Sequence, residues 1–294
     1  MLIGIAGTSI IHLSKGVMKH GVERLRACTI AASASGDSAT GAPVPPGGLR
    51  RRARVIYAAG VAMNFTNPLW VIVANRFAPT VYYTSMYGAG LVSLLLFSRL
   101  VLHERLDRRR LFGAMVVIAG TLLVGFSRIV TPVPAMYFAN RTRVLLAAGC
   151  WALAAPLVGL LSRRGSLTLQ ELLFGLFGGG LASLEAVLKG VAQSGAAGST
   201  FLPQTGANWW VFAVSFAGAA GAFGMIQWSY LRRCRVSIMA AAYDVSYVAL
   251  PLLLVPLAFS GERLGMLPVA GLVVLGIGAF VIQSGPAASV PPVA

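Results

Sequence analysis

Residues 91–120 read LVSLLLFSRLVLHERLDRRRLFGAMVVIAG, and residues 249–278 read ALPLLLVPLAFSGERLGMLPVAGLVVLGIG. The triplet Glu104-Arg105-Leu106 recurs as Glu262-Arg263-Leu264, an offset of 158 positions (262 − 104). At that offset Gly113 meets Gly271, and Gly120 meets Gly278. Leu94, Leu95 and Leu96 meet Leu252, Leu253 and Leu254. In each copy an apolar run precedes the triplet and a glycine-punctuated apolar run follows it. This is the pattern of an internal duplication, expected of a membrane transporter built from two repeats.

Composition points the same way. The 294 residues are 57% hydrophobic and 11% charged, whereas a soluble domain carries about 25% charged residues. Apolar runs of roughly 18 to 25 residues recur along the chain, each long enough to cross a bilayer. The fold class expected is an all-α, multi-pass membrane protein. The net charge of +16 reports orientation rather than nucleic acid, because the basic residues cluster in short loops between apolar runs. Cys28, Cys150 and Cys234 are scattered, so neither a disulfide nor a zinc site is expected. The chain opens Met1-Leu2-Ile3 without the basic region of a secretory leader.

Nine spans are read: Leu2–Met18, Val55–Phe77, Thr80–Leu102, Leu111–Val130, Val144–Leu161, Leu169–Ala192, Trp209–Leu231, Ser237–Phe259 and Leu267–Ile282. Residues 19–54 are rich in Ser, Ala, Gly and Pro and end in Arg50-Arg51-Arg52-Ala53-Arg54. They read as a flexible linker with a basic stop at the membrane surface. Loops after the odd-numbered spans hold sixteen Lys and Arg residues, and loops after the even-numbered spans hold three. The basic side is cytoplasmic, which puts the N-terminus outside and the C-terminus inside. Trp209 and Trp210 open the seventh span as interfacial anchors.

Span one ends in Ser14-Lys15-Gly16-Val17, and span six ends in Leu188-Lys189-Gly190-Val191. Spans one to four therefore pair with spans six to nine, and span five joins them. An offset of five helices inverts one half relative to the other, the arrangement that supports alternating access. The domains expected are a first repeat over 1–130, containing the 19–54 insert, a linking helix over 131–165, a second repeat over 166–285 and a disordered tail over 286–294. Glu104 and Glu262 mark the repeat and sit at loop edges, where a carboxylate favours the start of the next helix.

The candidate site lies deeper. Asp244 in span eight and Glu185 in span six are the two carboxylates placed inside apolar runs, where ionisable groups point to function. Tyr243 and Tyr247 flank Asp244, and Tyr247 shares its helical face and is placed to donate a hydrogen bond. Pro251 and Pro256 break the same span and free its backbone to line a cavity. At the repeat offset, position 86 opposes Asp244 (244 − 86 = 158) and is the apolar Met86, so one half supplies the charge. Glu185 stands four residues before Lys189, a favourable pair, and Lys15 and Lys189 are expected to snorkel toward the interface. Glycines 218, 221 and 224 read as a packing face. The three histidines read as loop or helix-end residues, and no intramembrane His–Asp pair is expected. There is no Walker loop or GxSxG, and no catalytic residue, cofactor or resident metal is expected.

The doubled hairpin resembles the drug/metabolite transporter superfamily (EamA-like). The stretch Asn75-Arg76-Phe77-Ala78-Pro79-Thr80 runs without a gap into His103-Glu104-Arg105-Leu106-Asp107 and is similar to the NIPA-type magnesium transporter branch. The Lys-Gly end of span one, the nine-helix count and Tyr243 share that similarity. The resemblance implies a secondary transporter of a divalent cation such as Mg²⁺ or of a small organic metabolite, without ATP. Two departures stand against it. The branch carries an acid nine positions before the phenylalanine of Phe-Ala-Pro, where this chain has Pro68, and span one holds no acid. Mg²⁺ favours carboxylate oxygens. The partners expected are the bilayer, a small solute or cation and a second copy in a homodimer, with no nucleic acid. The alternative is a scaffold or sensor that keeps the fold without transport.

Overall fold

The computed structural model describes residues 2–36, 47–103 and 108–283. Glu104, and with it the first copy of the triplet, lies outside the described residues, as does the tail expected at 286–294. The helices in order are α1 (Leu2–Gly36), α2 (Gly47–Asn64), α3 (Asn67–Phe77), α4 (Thr80–Thr84), α5 (Tyr87–Leu100), α6 (Arg108–Val130), α7 (Arg141–Ala152), α8 (Ala155–Arg164), α9 (Leu167–Gln193), α10 (Gly206–Leu231), α11 (Val236–Leu253), α12 (Val255–Ala258) and α13 (Met266–Gln283). A minimal hairpin, β1 (Ser194–Gly195) with β2 (Gly198–Ser199), links α9 to α10. The protein is all-α. Seven helical segments among the described residues are long and apolar enough to cross a membrane: Gly48–Phe77, Thr80–Leu100, Leu111–Val130, Arg141–Arg163, Leu167–Gln193, Gly206–Leu231 and Val236–Ala258. Met266–Ile282 is apolar but shorter.

Four of the spans are broken, and the sequence explains the breaks. Pro68, Pro156 and Pro256 each occupy the second position of α3, α8 or α12. Proline donates no hydrogen bond to the carbonyl four residues back and crowds it, so α2, α7 and α11 stop near Asn64, Ala152 and Leu253. The α4–α5 break has no proline. There the Thr84 hydroxyl donates to the Val81 carbonyl at 3.2 Å, and that of Ser85 to the Tyr82 carbonyl at 2.9 Å. Such back-bonding bends a helix.

The packing is organised around three close helix groups: α1 with α2 and α5, α9 with α10 and α11, and α6 with α13. The last crossing is made by the four glycines aligned in the sequence. A Cβ on Gly113 would meet the Gly278 carbonyl oxygen at 2.8 Å, and one on Gly120 would meet Leu275 N at 2.6 Å. A Cβ on Gly278 would likewise meet Val117 N at 2.6 Å, and one on Gly271 Val124 N at 3.0 Å. The two helices run antiparallel with backbones in contact. Of the glycines in α10, a Cβ on Gly218 would meet the Leu181 carbonyl at 2.7 Å and one on Gly221 the Leu181 side chain, whereas Gly224 faces open space.

Residues 19–36 are not the linker the composition suggests. They continue α1, and α2 begins at Gly47; residues 37–46 lie outside the described residues. The first turns past the span are rich in helix formers, and Lys19 pairs with Glu23 at 3.3 Å. The extension is docked. Lys19 Nζ donates to the Cys234 carbonyl at 2.8 Å, and Arg26 Nη2 donates to the Tyr230 and Leu231 carbonyls at 2.9 and 3.0 Å. These last two are carbonyls at the C-terminal end of α10, where the helix dipole attracts cations.

At the same level Glu171 of α9 is fully buried and clamps Arg235, the residue before α11. Its Oε1 accepts from the Arg235 backbone N–H at 2.7 Å and from Nε at 2.9 Å, and its Oε2 accepts from Nη2 at 2.7 Å. Glu171 is thus a third buried carboxylate, which serves the α10–α11 turn. Burial and the nearby Glu171 charge push the Cys234 thiol up to about 12. Thiolate is the reactive form, so Cys234 is expected to resist alkylation at pH 8 in folded protein and to react fully once denatured. Mass spectrometry of maleimide-treated protein checks this; rapid native labelling of Cys234 counts against the packed turn.

Candidate functional site

Five helices converge on one buried polar cluster. From α1 come Thr8, His12 and Lys15, all fully buried. From α11 come Tyr243, Asp244 and Tyr247; α4 and α5 supply Tyr83 and Tyr87; and α9 supplies Glu185 and Lys189. His12 Nε2 lies 2.9 Å from Asp244 Oδ2 and 3.0 Å from Oδ1. His12 Nδ1 lies 2.8 Å from the Thr8 carbonyl oxygen.

That geometry decides where protons sit. The Thr8 carbonyl only accepts, so Nδ1 carries a hydrogen. Nε2 faces a carboxylate, so a proton must lie between the two: on Nε2 if Asp244 is ionised, on Asp244 if it is not. Both forms are neutral as a pair.

The pair corrects several expectations. His12 is neither a loop nor a helix-end residue, because α1 continues for another twenty-four residues to Gly36. Tyr247 does not bind Asp244; its ring stacks on Tyr87 with centroids 3.8 Å apart, drawn across to α5. Nor does the second half stand alone in building the polar site, since α1 answers Asp244 with His12. Met86, at the repeat position of Asp244, offers its backbone carbonyl to the Thr8 hydroxyl at 3.4 Å.

The lysines do not snorkel. Lys15 and Lys189 are both fully buried. Lys15 Nζ sits 3.7 Å from the centre of the Tyr243 ring and 5.7 Å from that of Tyr87, a cation–π placement. No hydrogen-bond acceptor reaches it among the described residues. Lys189 Nζ donates to Glu185 Oε1 at 2.6 Å and lies 4.0 Å from the Phe216 ring centre. The Glu185–Lys189 spacing thus yields the intrahelical ion pair that the four-residue separation favours.

A cavity of about 530 Å³ opens beside this cluster, within the size range of small-molecule sites. It sits at the Asn64–Pro68 break and is lined by Asn64, Asn67, Glu185, Tyr243 and the phenylalanines Phe65, Phe216 and Phe223. Tyr243 and Glu185 therefore line it, while Asp244, Tyr247 and Lys189 stand behind. Glu262, the second repeat marker, lies in the loop ahead of α13, away from the cavity. Sequence reasoning missed His12, Tyr83, Tyr87 and the two asparagines, and placed Lys15 at the interface instead of in the core.

No family model, curated protein or solved structure matches this chain.

Proposed function

We propose that the chain is a secondary transporter of drug/metabolite type that moves a small organic solute by alternating access. The observation that carries this reading is the cavity at a helix break, bordered by Glu185, Tyr243, Asn64 and Asn67 and backed by buried ionisable groups. Ionisable side chains are expensive inside a bilayer and mark solute or proton paths. Irregular backbone at that depth is tolerated where it lines a cavity.

The proposed architecture is nine spans forming two inverted four-helix repeats around one joining helix. Its support is reciprocity. Gly113 meets Gly278, the repeat mate of Gly120, and Gly120 lies against the turn of Gly271, the repeat mate of Gly113. Exchange of partners between mates is what a two-fold axis between antiparallel helices produces. The proposed orientation, N-terminus outside and C-terminus in the cytoplasm, rests on the loop charge.

An organic solute suits the cavity better than Mg²⁺. Its carboxylate, Glu185, is already held by Lys189, and the described residues contain no group of three or more His, Cys, Asp or Glu side chains that could hold a metal ion. Magnesium prefers several oxygens and its own waters. Membership of the superfamily, and of its NIPA-like branch, remains a proposal carried by the order and spacing of the motifs.

Proteoliposome uptake over a panel of solutes and divalent cations tests the reading. Wild-type protein is expected to accumulate an organic solute under an imposed gradient, and Glu185→Gln and Asp244→Asn are expected to slow uptake at least tenfold. If wild-type protein moves nothing on the panel, the scaffold reading takes over; if it transports and both variants equal it, the proposed site is wrong.

A further inference from the structure

The cavity's floor and its mouth are built from different material. The floor is Ile11 of α1, Ala182 and Glu185 of α9 and Tyr243 of α11, all buried or nearly so. The mouth lies between α2–α3 and α10, where the lining residues Phe65, Leu69 and Phe216 are 63%, 61% and 41% exposed. What bridges this gap is slight. The Phe65 and Phe223 rings touch with centroids 5.4 Å apart. Nearer the α2 arginines, the Tyr57 hydroxyl donates to Gln227 Oε1 at 2.8 Å.

Depth identifies what the mouth faces. Phe65 lies eleven residues beyond Arg54, roughly 16 Å along a helix, close to the middle of a hydrocarbon core about 30 Å thick. Phe216 lies six residues beyond Trp210, roughly 9 Å in from an aromatic belt. An exposed phenylalanine at either depth faces acyl chains.

We propose that this cleft is a lateral portal through which a neutral amphiphile passes from the bilayer to the cavity floor. The inference rests on the transporter reading and names its substrate class: an apolar tail with an uncharged, hydrogen-bonding head. The head meets Asn64, Asn67, Glu185 and the Tyr243 hydroxyl, while the tail lies against Phe65, Leu69 and Phe216. Neutrality follows from the floor, where Glu185 is paired with Lys189, Asp244 with His12, and Lys15 lies off the cavity against the Tyr243 ring. A charged head would arrive at bilayer depth with no free counter-charge lining the cavity. Phe65 and Phe223 act as the latch.

The test uses full-length protein in liposomes, with the native cysteines replaced and one cysteine placed at a buried residue lining the cavity, Ala222→Cys. A bilayer-dissolved maleimide is expected to modify it at least tenfold faster than a charged, water-soluble thiol reagent. Adding Phe223→Ala is expected to speed the bilayer route several-fold. Equal or faster reaction with the aqueous reagent would overturn the portal in favour of a water-filled vestibule. Should the cysteine variants fail to fold, wild-type protein is photolabelled with a diazirine-bearing long-chain alcohol. Adducts are expected on the peptides holding Phe65 and Phe216, displaced by unlabelled alcohol. Label spread evenly over the lipid-facing helices overturns the portal, and better displacement by the matched fatty acid or alkylammonium overturns the neutral head. Labelling retained without any uptake sinks the transporter reading alone; uptake retained without labelling sinks the portal alone.

Discussion

Replacing His12 by leucine is expected to lower the unfolding free energy by about 3 kcal/mol or more, because it strands Asp244 without a partner in a dry interior. The Asp244→Leu change strands the imidazole in the same way. The double replacement is expected to be milder than the sum of the two, and nearer wild type than either single change. Two leucines need no proton between them and fill much of the same space, and replacing both partners of a buried polar pair is often close to neutral. A double-mutant cycle by reversible denaturation in bicelles measures the coupling. Strict additivity would show that the two groups do not depend on each other. Under the proposed transporter function, stability and transport should then separate: the double variant is expected to fold near wild-type stability and yet to take up solute more slowly.

Replacing Gly179 by valine is expected to be at least as damaging. Even a Cβ at this position would fall far inside van der Waals contact distance of the Tyr243 carbonyl oxygen. Neither backbone can yield cheaply, since α9 and α11 are the two most enclosed spans. Overpacking typically costs about 1–3 kcal/mol, and a backbone clash sits at or above the top of that range. The shift also displaces Tyr243, which lines the cavity, so uptake should fall with stability. Gly224→Ala is the matched control. Nothing lies within 4 Å of the Cβ it would add, and removing an unconstrained helical glycine gains roughly 0.5–1 kcal/mol. Thermal unfolding of the two variants side by side decides the matter; equal melting temperatures would rule out the tight α9–α11 contact.

The sequence made seven of the spans legible because apolar runs of bilayer length have few other uses. It also made the glycines at 113, 120, 271 and 278 legible, because repeat alignment needs only spacing. What it hid was partnership across distance. His12 and Asp244 are separated by 232 positions, and no periodicity connects them. A usable signal was nevertheless present: Thr8, His12, Lys15 and Lys19 recur every three or four residues, a polar stripe along an apolar helix, and all four are buried. It is masked because the apolar run ends at Met18, so that Lys15 reads as an end residue and His12 as an isolated one. The Ser- and Gly-rich composition of the following segment, read as one block, concealed that its first part is made of good helix formers.

The length of α1 has a mechanical meaning. Its 35 residues make a rod roughly 50 Å long. It is pinned at Arg26 to the end of α10 and at His12 to α11, two points about 21 Å apart along its axis. Such a rod is a lever. In the proposed transport cycle, a tilt of α10 that widened the mouth would pull on Arg26, and α1 would carry that pull to the contact between His12 and Asp244.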